Sequence, residues 1–315
     1  MSRIYEALQK AESERKQERA EGEPPAVERV EIPSSTAVAY ETMPRTFSEL
    51  PVEEMREFAA PAAPGNGGLN LAAIPRLPWN PEISRLPSLL DRGPAIEQFR
   101  SLRSRVYEAR DIRPIKSILV SSGLPQEGKS FISANLAVSL ARHKNSKVLL
   151  IDGDMRRYTL HELLGAESHP GLADYLAGKA SMEQVMQRPA EPEGTQSPVH
   201  QALSNLTFIP GGNGGDKAAD LSSNARFGEL LRAAAPFFDW IIVDSSPVLP
   251  VSDGVNLARA CDAVLLVARA GVTKYPVAQR AAAELKAANV LGFVLNAVQE
   301  TTQTGSYYGY NANKE

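Results

Sequence analysis

Between residues 117 and 130 the chain reads SILVSSGLPQEGKS, and Gly123, Gly128, Lys129 and Ser130 hold the spacing G-x-x-x-x-G-K-[ST]. These residue types at this spacing make a phosphate cradle. Glycines let backbone N–H groups turn towards an anion, the lysine adds a point charge at the β/γ-phosphates, and the hydroxyl is a ligand for Mg²⁺. Phe131 continues the same nucleotide-binding stretch. Three aspartates follow apolar runs further on: Asp152 and Asp154 in LLIDGDMR, and Asp244 in IIVD. Phosphoryl transfer needs charge neutralisation by a metal, a group that orients the nucleophile, and positioned cations. Asp244 would orient a Mg²⁺-bound water, with Ser130 and Asp154 as further metal ligands. Asp152 and Asp154 would hold metal and orient an incoming hydroxyl beside Lys129. Arg156 would pair with phosphate or with a neighbouring carboxylate. The plainer reading is that aspartates at strand ends cap the next helix. Asp253, in VSDG, is a weaker candidate of the same kind, and Asn296 has two readings, adenine recognition and turn chemistry.

These groups need elements that aim them at one point. Ile118, Leu119 and Val120 precede the glycine loop as a buried parallel strand would, and Ile132, Leu136, Ala137, Leu140 and Ala141 follow it at helical spacing. Strand, glycine loop and helix together direct N–H groups and a helix N-terminus at phosphate oxygens. Further buried-type strands are predicted at 147–151, 206–209, 240–243, 263–267 and 292–295. Helices are predicted at 94–107, 160–164, 172–176, 225–235 and 275–288, with 188–200 as a surface insertion. Alternation of this kind predicts an α/β fold, a mostly parallel sheet with helices on both faces and the phosphate loop at the carboxyl ends of the strands.

Composition sets outer bounds. The chain has 315 residues and a formal net charge of −3, so no basic excess argues for nucleic acid. One cysteine, Cys261, excludes an intrachain disulfide framework and fits a buried structural thiol. No apolar run approaches the ~20 residues of a membrane span, and the first ten residues lack the apolar core of a signal peptide. The expectation is a soluble, cytoplasmic protein whose membrane role comes through a partner.

Outside the α/β region, residues 1–20 read as a charged helix with a small apolar patch, either frayed and solvated or a docking helix. Residues 21–76 are rich in Pro, Ala and Glu without a sustained period and are expected to be a disordered linker ahead of a domain at 77–300. Glu97, Arg100 and Arg103 share a broad polar face of the helix that Pro94 opens; a solvated face and an interface are both consistent with that spacing. The segment 301–315, TTQTGSYYGYNANKE, crowds Tyr307, Tyr308 and Tyr310 into a stretch with no apolar period. They are either incidental or hydroxyl nucleophiles, and a phenol of pKa ~10 needs a base or metal to attack phosphorus near neutral pH.

Taken together these motifs resemble the bacterial tyrosine kinases, a phosphate-loop family that autophosphorylates a C-terminal tyrosine cluster. GLPQEGKS is similar to its Walker A motif, LLIDGDMR to its second acidic motif, IIVDSSP to its Walker B motif, and Glu97-x-x-Arg100-x-x-Arg103 to its oligomerisation helix. The start, MSRIYEALQKAE, is similar to members from exopolysaccharide export loci. The resemblance implies ATP with Mg²⁺, tyrosine as acceptor, Tyr307, Tyr308 and Tyr310 as phosphoacceptors, and a ring-like homo-oligomer. It also implies a transmembrane polysaccharide co-polymerase as activator at the inner face of the membrane, and a tyrosine phosphatase as counterpart. The chain departs from the usual pattern at Ser245-Ser246 and in having only three tail tyrosines. Partitioning and cell-division ATPases share the Walker motifs but carry a second lysine where Leu124 stands. A non-catalytic nucleotide-sensing scaffold is the remaining alternative.

Overall fold

A computed structural model describes residues 69–142, 146–190 and 198–298. The charged stretch 1–20, most of the expected linker and the tail with Tyr307, Tyr308 and Tyr310 lie outside the described residues. The chain divides into Met1–Asn66 and Gly67–Glu315, and every described residue belongs to the second unit.

In chain order the elements are β1 (Arg76–Leu77), α1 (Pro94–Ile112), β2 (Ser117–Ser122), α2 (Lys129–Ala141), β3 (Val148–Asp152), α3 (Leu160–Leu164), α4 (Leu172–Leu176) and α5 (Met182–Val185). They continue with β4 (Arg188–Pro189), α6 (Pro198–Leu203), β5 (Leu206–Ile209), α7 (Ala218–Ser222), α8 (Arg226–Ala234), β6 (Trp240–Asp244), α9 (Asp253–Ala258), β7 (Ala263–Arg269), α10 (Tyr275–Glu284) and β8 (Val290–Asn296). The main sheet has the order β5-β3-β6-β2-β7-β8, with every pair parallel.

Side chains alternate across a strand, and here the alternation sorts the apolar residues into two cores. Ile118, Val120, Val148, Leu150, Trp240 and Ile242 face α1 and α2, whereas Leu119, Leu149, Ile151, Ile241 and Val243 face α4, α8 and α9. Burial on both faces explains why the strands read as unbroken apolar runs. The same parity carries Asp152, at the end of β3, and Asp244, at the end of β6, towards α2, and the two are register partners.

Three expectations are corrected. The linker ends before residue 76, because Leu69 and Ile74 are buried and β1 pairs in parallel with β4. The stretch 188–200 is not simply an insertion, since Arg188 and Pro189 form β4 and Pro198 opens α6. The helix from Pro94 runs on to Ile112, while the one from Tyr275 stops at Glu284.

Residues 77–90 wrap the phosphate-loop helix. Asn135, buried in α2, donates to the Arg85 carbonyl at 3.1 Å and accepts from the Ser88 N–H at 3.0 Å. Arg142, at the end of α2, donates to the Ser88 carbonyl at 2.8 Å and pairs with Asp91 at 2.7 Å. Among the described residues no helix is long and apolar enough to cross a membrane.

Candidate functional site

The loop between β2 and α2 turns twice through the left-handed region, at Gln126 (φ 63°) and Gly128 (φ 94°). Gly128 has no alternative: a Cβ there would lie 2.0 Å from Asn296 Nδ2. Lys129 and Ser130 open α2, whose first N–H groups have no partner within the helix and are therefore available to an anion.

Lys129 Nζ sits 3.0 Å from Asp154 Oδ2, and both side chains are nearly buried, at 14% and 4% exposure. Burial opposes the charge on Lys129, but Asp244, Asp154 and Asp152 outweigh it and hold the ammonium above its ordinary pKa. Asp152 Oδ1 accepts from the Asp154 N–H at 3.1 Å and Oδ2 from the Leu160 N–H at 3.1 Å, so the capping role is real for this residue. Asp154 Oδ1 accepts from the Arg157 N–H at 3.1 Å. Burial raises the Asp152 carboxyl well above the usual range, with the Asp244 charge adding to it. Asp244 is raised too, chiefly by burial and against the pull of Lys129 and a hydrogen bond from Ser130. The glycine between Asp152 and Asp154 makes this convergence possible. Gly153 N–H donates to the Asp244 carbonyl at 2.9 Å, and a Cβ on it would lie 2.5 Å from that oxygen.

The structure thus brings Lys129, Ser130, Asp152, Asp154 and Asp244 together beside the turn that Gly128 makes. Gly123 lies at the end of β2 against α10, where a Cβ would be 3.3 Å from Val277 and Ala281. Arg156 takes the carboxylate option, with Nε 2.6 Å and Nη2 3.3 Å from the buried Asp253. Ser245 Oγ donates to the Val120 carbonyl at 3.1 Å and so ties β6 to β2. Cys261 is part-buried, and burial raises its thiol above the ordinary range.

Three site readings change. Phe131 packs its ring on Phe99 at 5.7 Å between centroids. Asn296 Nδ2 donates to the Glu127 carbonyl at 3.0 Å and its Oδ1 accepts from the Ala297 N–H at 2.8 Å, so it supports the loop. Of the polar face on α1, Glu97 and Arg100 form an exposed pair at 2.6 Å. Arg103 leaves that pair and donates to the Ser139 carbonyl of α2 at 2.8 Å.

Spacing alone passed over two groups. Ser133 Oγ lies 3.0 Å from Asp244 Oδ1 and 2.8 Å from the Lys129 carbonyl, and its single proton serves one at a time. Its place one turn after Lys129 was the available signal. Glu127, buried beneath the loop, accepts from the Leu124 N–H at 2.8 Å and from the Thr273 hydroxyl. No local pattern announces that contact, because Thr273 is 146 residues away.

Residues 118–308 match the family described as the CobQ/CobB/MinD/ParA nucleotide binding domain. A tyrosine-protein kinase of Bacillus subtilis, YwqD, is 33% identical over 221 residues, covering 70% of this chain and 87% of that protein. The tyrosine-protein kinase ptk of Acinetobacter johnsonii is 34% identical over 210 residues, covering 66% of this chain but 27% of that protein. The chain therefore spans under a third of some of the relatives it matches. Among solved structures, the kinase domain of the Escherichia coli tyrosine kinase ETK superposes with a TM-score of 0.60 at 30% identity, covering 69% of this chain and 80% of that one.

Proposed function

The chain belongs to the CobQ/CobB/MinD/ParA nucleotide-binding family and, within it, to the bacterial tyrosine kinases, and from that premise we propose that it transfers the γ-phosphate of ATP to tyrosines of its own C-terminal cluster. The observation that carries this reading is the buried set of Lys129, Asp152, Asp154 and Asp244 at the mouth of the phosphate loop. A switch that only binds nucleotide needs the lysine. An acceptor phenol needs, in addition, a carboxylate able to take its proton. Asp152, at the end of β3 and the register partner of Asp244, is the carboxylate we assign to that role.

Mg²⁺ fits the residues present. Three carboxylates against one ammonium leave a formal deficit that a divalent cation offsets. Among the described residues no group of three acidic, histidine or cysteine side chains is arranged to hold a metal alone. That accords with Mg²⁺, which takes one or two protein oxygens and completes its shell with water and phosphate. Ser130, Asp154 and Asp244 would hold it, and bound there it would neutralise phosphate charge. Lys129 then positions the β/γ-phosphates, and Asp152 orients and deprotonates the tyrosine hydroxyl.

The described chain ends at Val298, two residues past Asn296 on the phosphate loop. Twelve further residues reach Tyr310 and extend at most about 40 Å, long enough for the chain's own site or a neighbour's. We assign the reaction to a neighbour within a ring-like homo-oligomer, with Glu97 and Arg100 on its interface and a transmembrane polysaccharide co-polymerase as activator. Phosphates on the tail add roughly −1.5 to −2 charge each, which favours release and dispersal of the ring.

Two chains test this: one carrying Lys129→Met with its tail intact, the other active but cut after Gly305. Mixed with ATP and Mg²⁺, the active chain labels Tyr307, Tyr308 or Tyr310 of the inactive one, as read by mass spectrometry. If only uncut wild type labels itself, the tail reacts in cis and the ring is wrong. If no tyrosine is modified even with a cognate activator, the scaffold reading replaces the kinase.

A further inference from the structure

We propose that Glu127 and Thr273 form a positioning device that holds the phosphate loop in its anion-ready shape before nucleotide arrives; this rests on the nucleotide-binding reading above. Glu127 lies between the two left-handed residues Gln126 and Gly128, and that alternation directs its side chain inward, where it is only 3% exposed. One carboxylate oxygen accepts from the Leu124 N–H at 2.8 Å and closes the loop on itself. The other accepts from the Thr273 hydroxyl, and Thr273 Oγ1 in turn accepts from the Arg269 N–H at 2.8 Å.

Two more contacts fix the same span from outside. Asn296 Nδ2 reaches the Glu127 carbonyl at 3.0 Å, and Arg269 Nη1 reaches the Gln126 carbonyl at 3.3 Å. The loop leaving β2 is thereby fastened to the ends of β7 and β8, its neighbours on one side of the sheet.

The chemistry of the arrangement is unusual for a cradle of phosphates. A buried acidic side chain under a polyphosphate site repels the ligand, and it removes the Leu124 N–H from the donors that could face an anion. An acid here is therefore expected to contribute geometry. It supplies two acceptors at fixed positions to two donors, and a loop that holds the non-glycine Gln126 at a left-handed φ of 63° needs such support. Without it, part of the binding energy of the nucleotide goes into ordering the loop, and affinity falls.

The geometry also says which substitutions conserve the device. Glutamine retains one acceptor for the Leu124 N–H and offers an N–H to Thr273, whose hydroxyl can accept as well as donate. Alanine and valine at the two positions retain nothing. Full-length protein is titrated with Mg·ATP and Mg·ADP by calorimetry, and KM and kcat for ATP are measured alongside Tm. Glu127→Ala should weaken nucleotide binding roughly 10- to 100-fold, the worth of a buried hydrogen bond to a charged group. KM should rise while kcat at saturation stays within a few-fold. Glu127→Gln should remain within about threefold of wild type. Thr273→Val should lose about tenfold and Thr273→Ser should restore it. Because both residues act in one device, adding Thr273→Val to Glu127→Ala should cost little more than Glu127→Ala alone.

Lowered Tm with unchanged nucleotide affinity in Glu127→Ala and Thr273→Val would reduce the pair to ordinary structure and overturn the proposal. So would a loss in Glu127→Gln as large as in Glu127→Ala. Wild type that binds no nucleotide at all would instead sink the functional reading on which the proposal stands.

Discussion

The mouth of the phosphate loop and the polar face of α1 were both legible as motifs, yet they are built on opposite terms. Around Lys129 the carboxylates are buried, each accepts a backbone or side-chain donor, and burial raises two of them above the ordinary range. On α1, Glu97 and Arg100 stand half in solvent and pair across one helical turn, a contact worth ~0–1 kcal/mol, and Arg100 Nη2 also reaches the exposed Asp91 carbonyl at 3.3 Å. A buried charge needs a reason, and catalysis supplies one; an exposed pair needs none. Arg103 belongs to neither class, since it anchors α1 to the helix that carries the phosphate loop.

The comparison breaks most sharply at Lys129. Lys129→Met is expected to reduce phosphate transfer by at least about 100-fold, on the scale of losing one preorganised electrostatic group, while far-UV circular dichroism stays unchanged. Transfer that persists in this variant would mean the buried set is structural after all.

Asp152 and its neighbour Asp244 separate next. Asp152→Asn should lower kcat more than nucleotide affinity, because the proton acceptor is lost and the phosphate contacts are not; equal losses would assign Asp152 to metal binding alone.

Asp244→Asn sharpens the contrast through stability. The folded carboxyl has a raised pKa, so the native state holds the proton more tightly than the unfolded chain does. Stability of the nucleotide-free protein therefore falls as pH rises from the unfolded value, near 4, through the raised folded value, and the penalty is complete above it. The neutral asparagine, with rotatable hydroxyls on Ser130 and Ser133 as partners, removes that penalty. Its Tm at neutral pH should exceed wild type by a few degrees, at about 2–4 °C per kcal/mol for a domain of this size, and its pH profile should be flatter. A lower Tm in Asp244→Asn at neutral pH would show that Lys129 holds Asp244 as a net favourable ion.

The smallest effects of all are those of Glu97 and Arg100 on α1, and they divide the motif. Arg103→Ala should cost roughly 1.5–3 kcal/mol in denaturant unfolding, as for loss of a hydrogen bond from a charged donor, whereas Glu97→Ala and Arg100→Ala should each cost within about 0.5 kcal/mol. If assembly then fails in the Glu97 and Arg100 variants with stability intact, the exposed pair is an interface; if only Arg103→Ala fails, it is not.

The residues themselves determined a good deal. Glycine, lysine and serine at fixed spacing, a strand before them and a helix after them define a phosphate cradle because backbone geometry is local. The apolar runs of β2, β3, β6 and β7 were readable because parallel strands are buried on both faces. The face on which Asp152 and Asp244 lie came with the sheet register, which makes them partners at the ends of β3 and β6. Only the tertiary structure decided which polar groups meet across long separations. Glu127 finds Thr273 and Asn296, Arg156 pairs with Asp253, and Arg103 leaves its own helix for the Ser139 carbonyl. Two apolar side chains, Leu69 and Ile74, likewise order a stretch whose average composition reads as linker. In each case the deciding contact lies far along the chain, and its energy depends on burial that no short window of sequence contains.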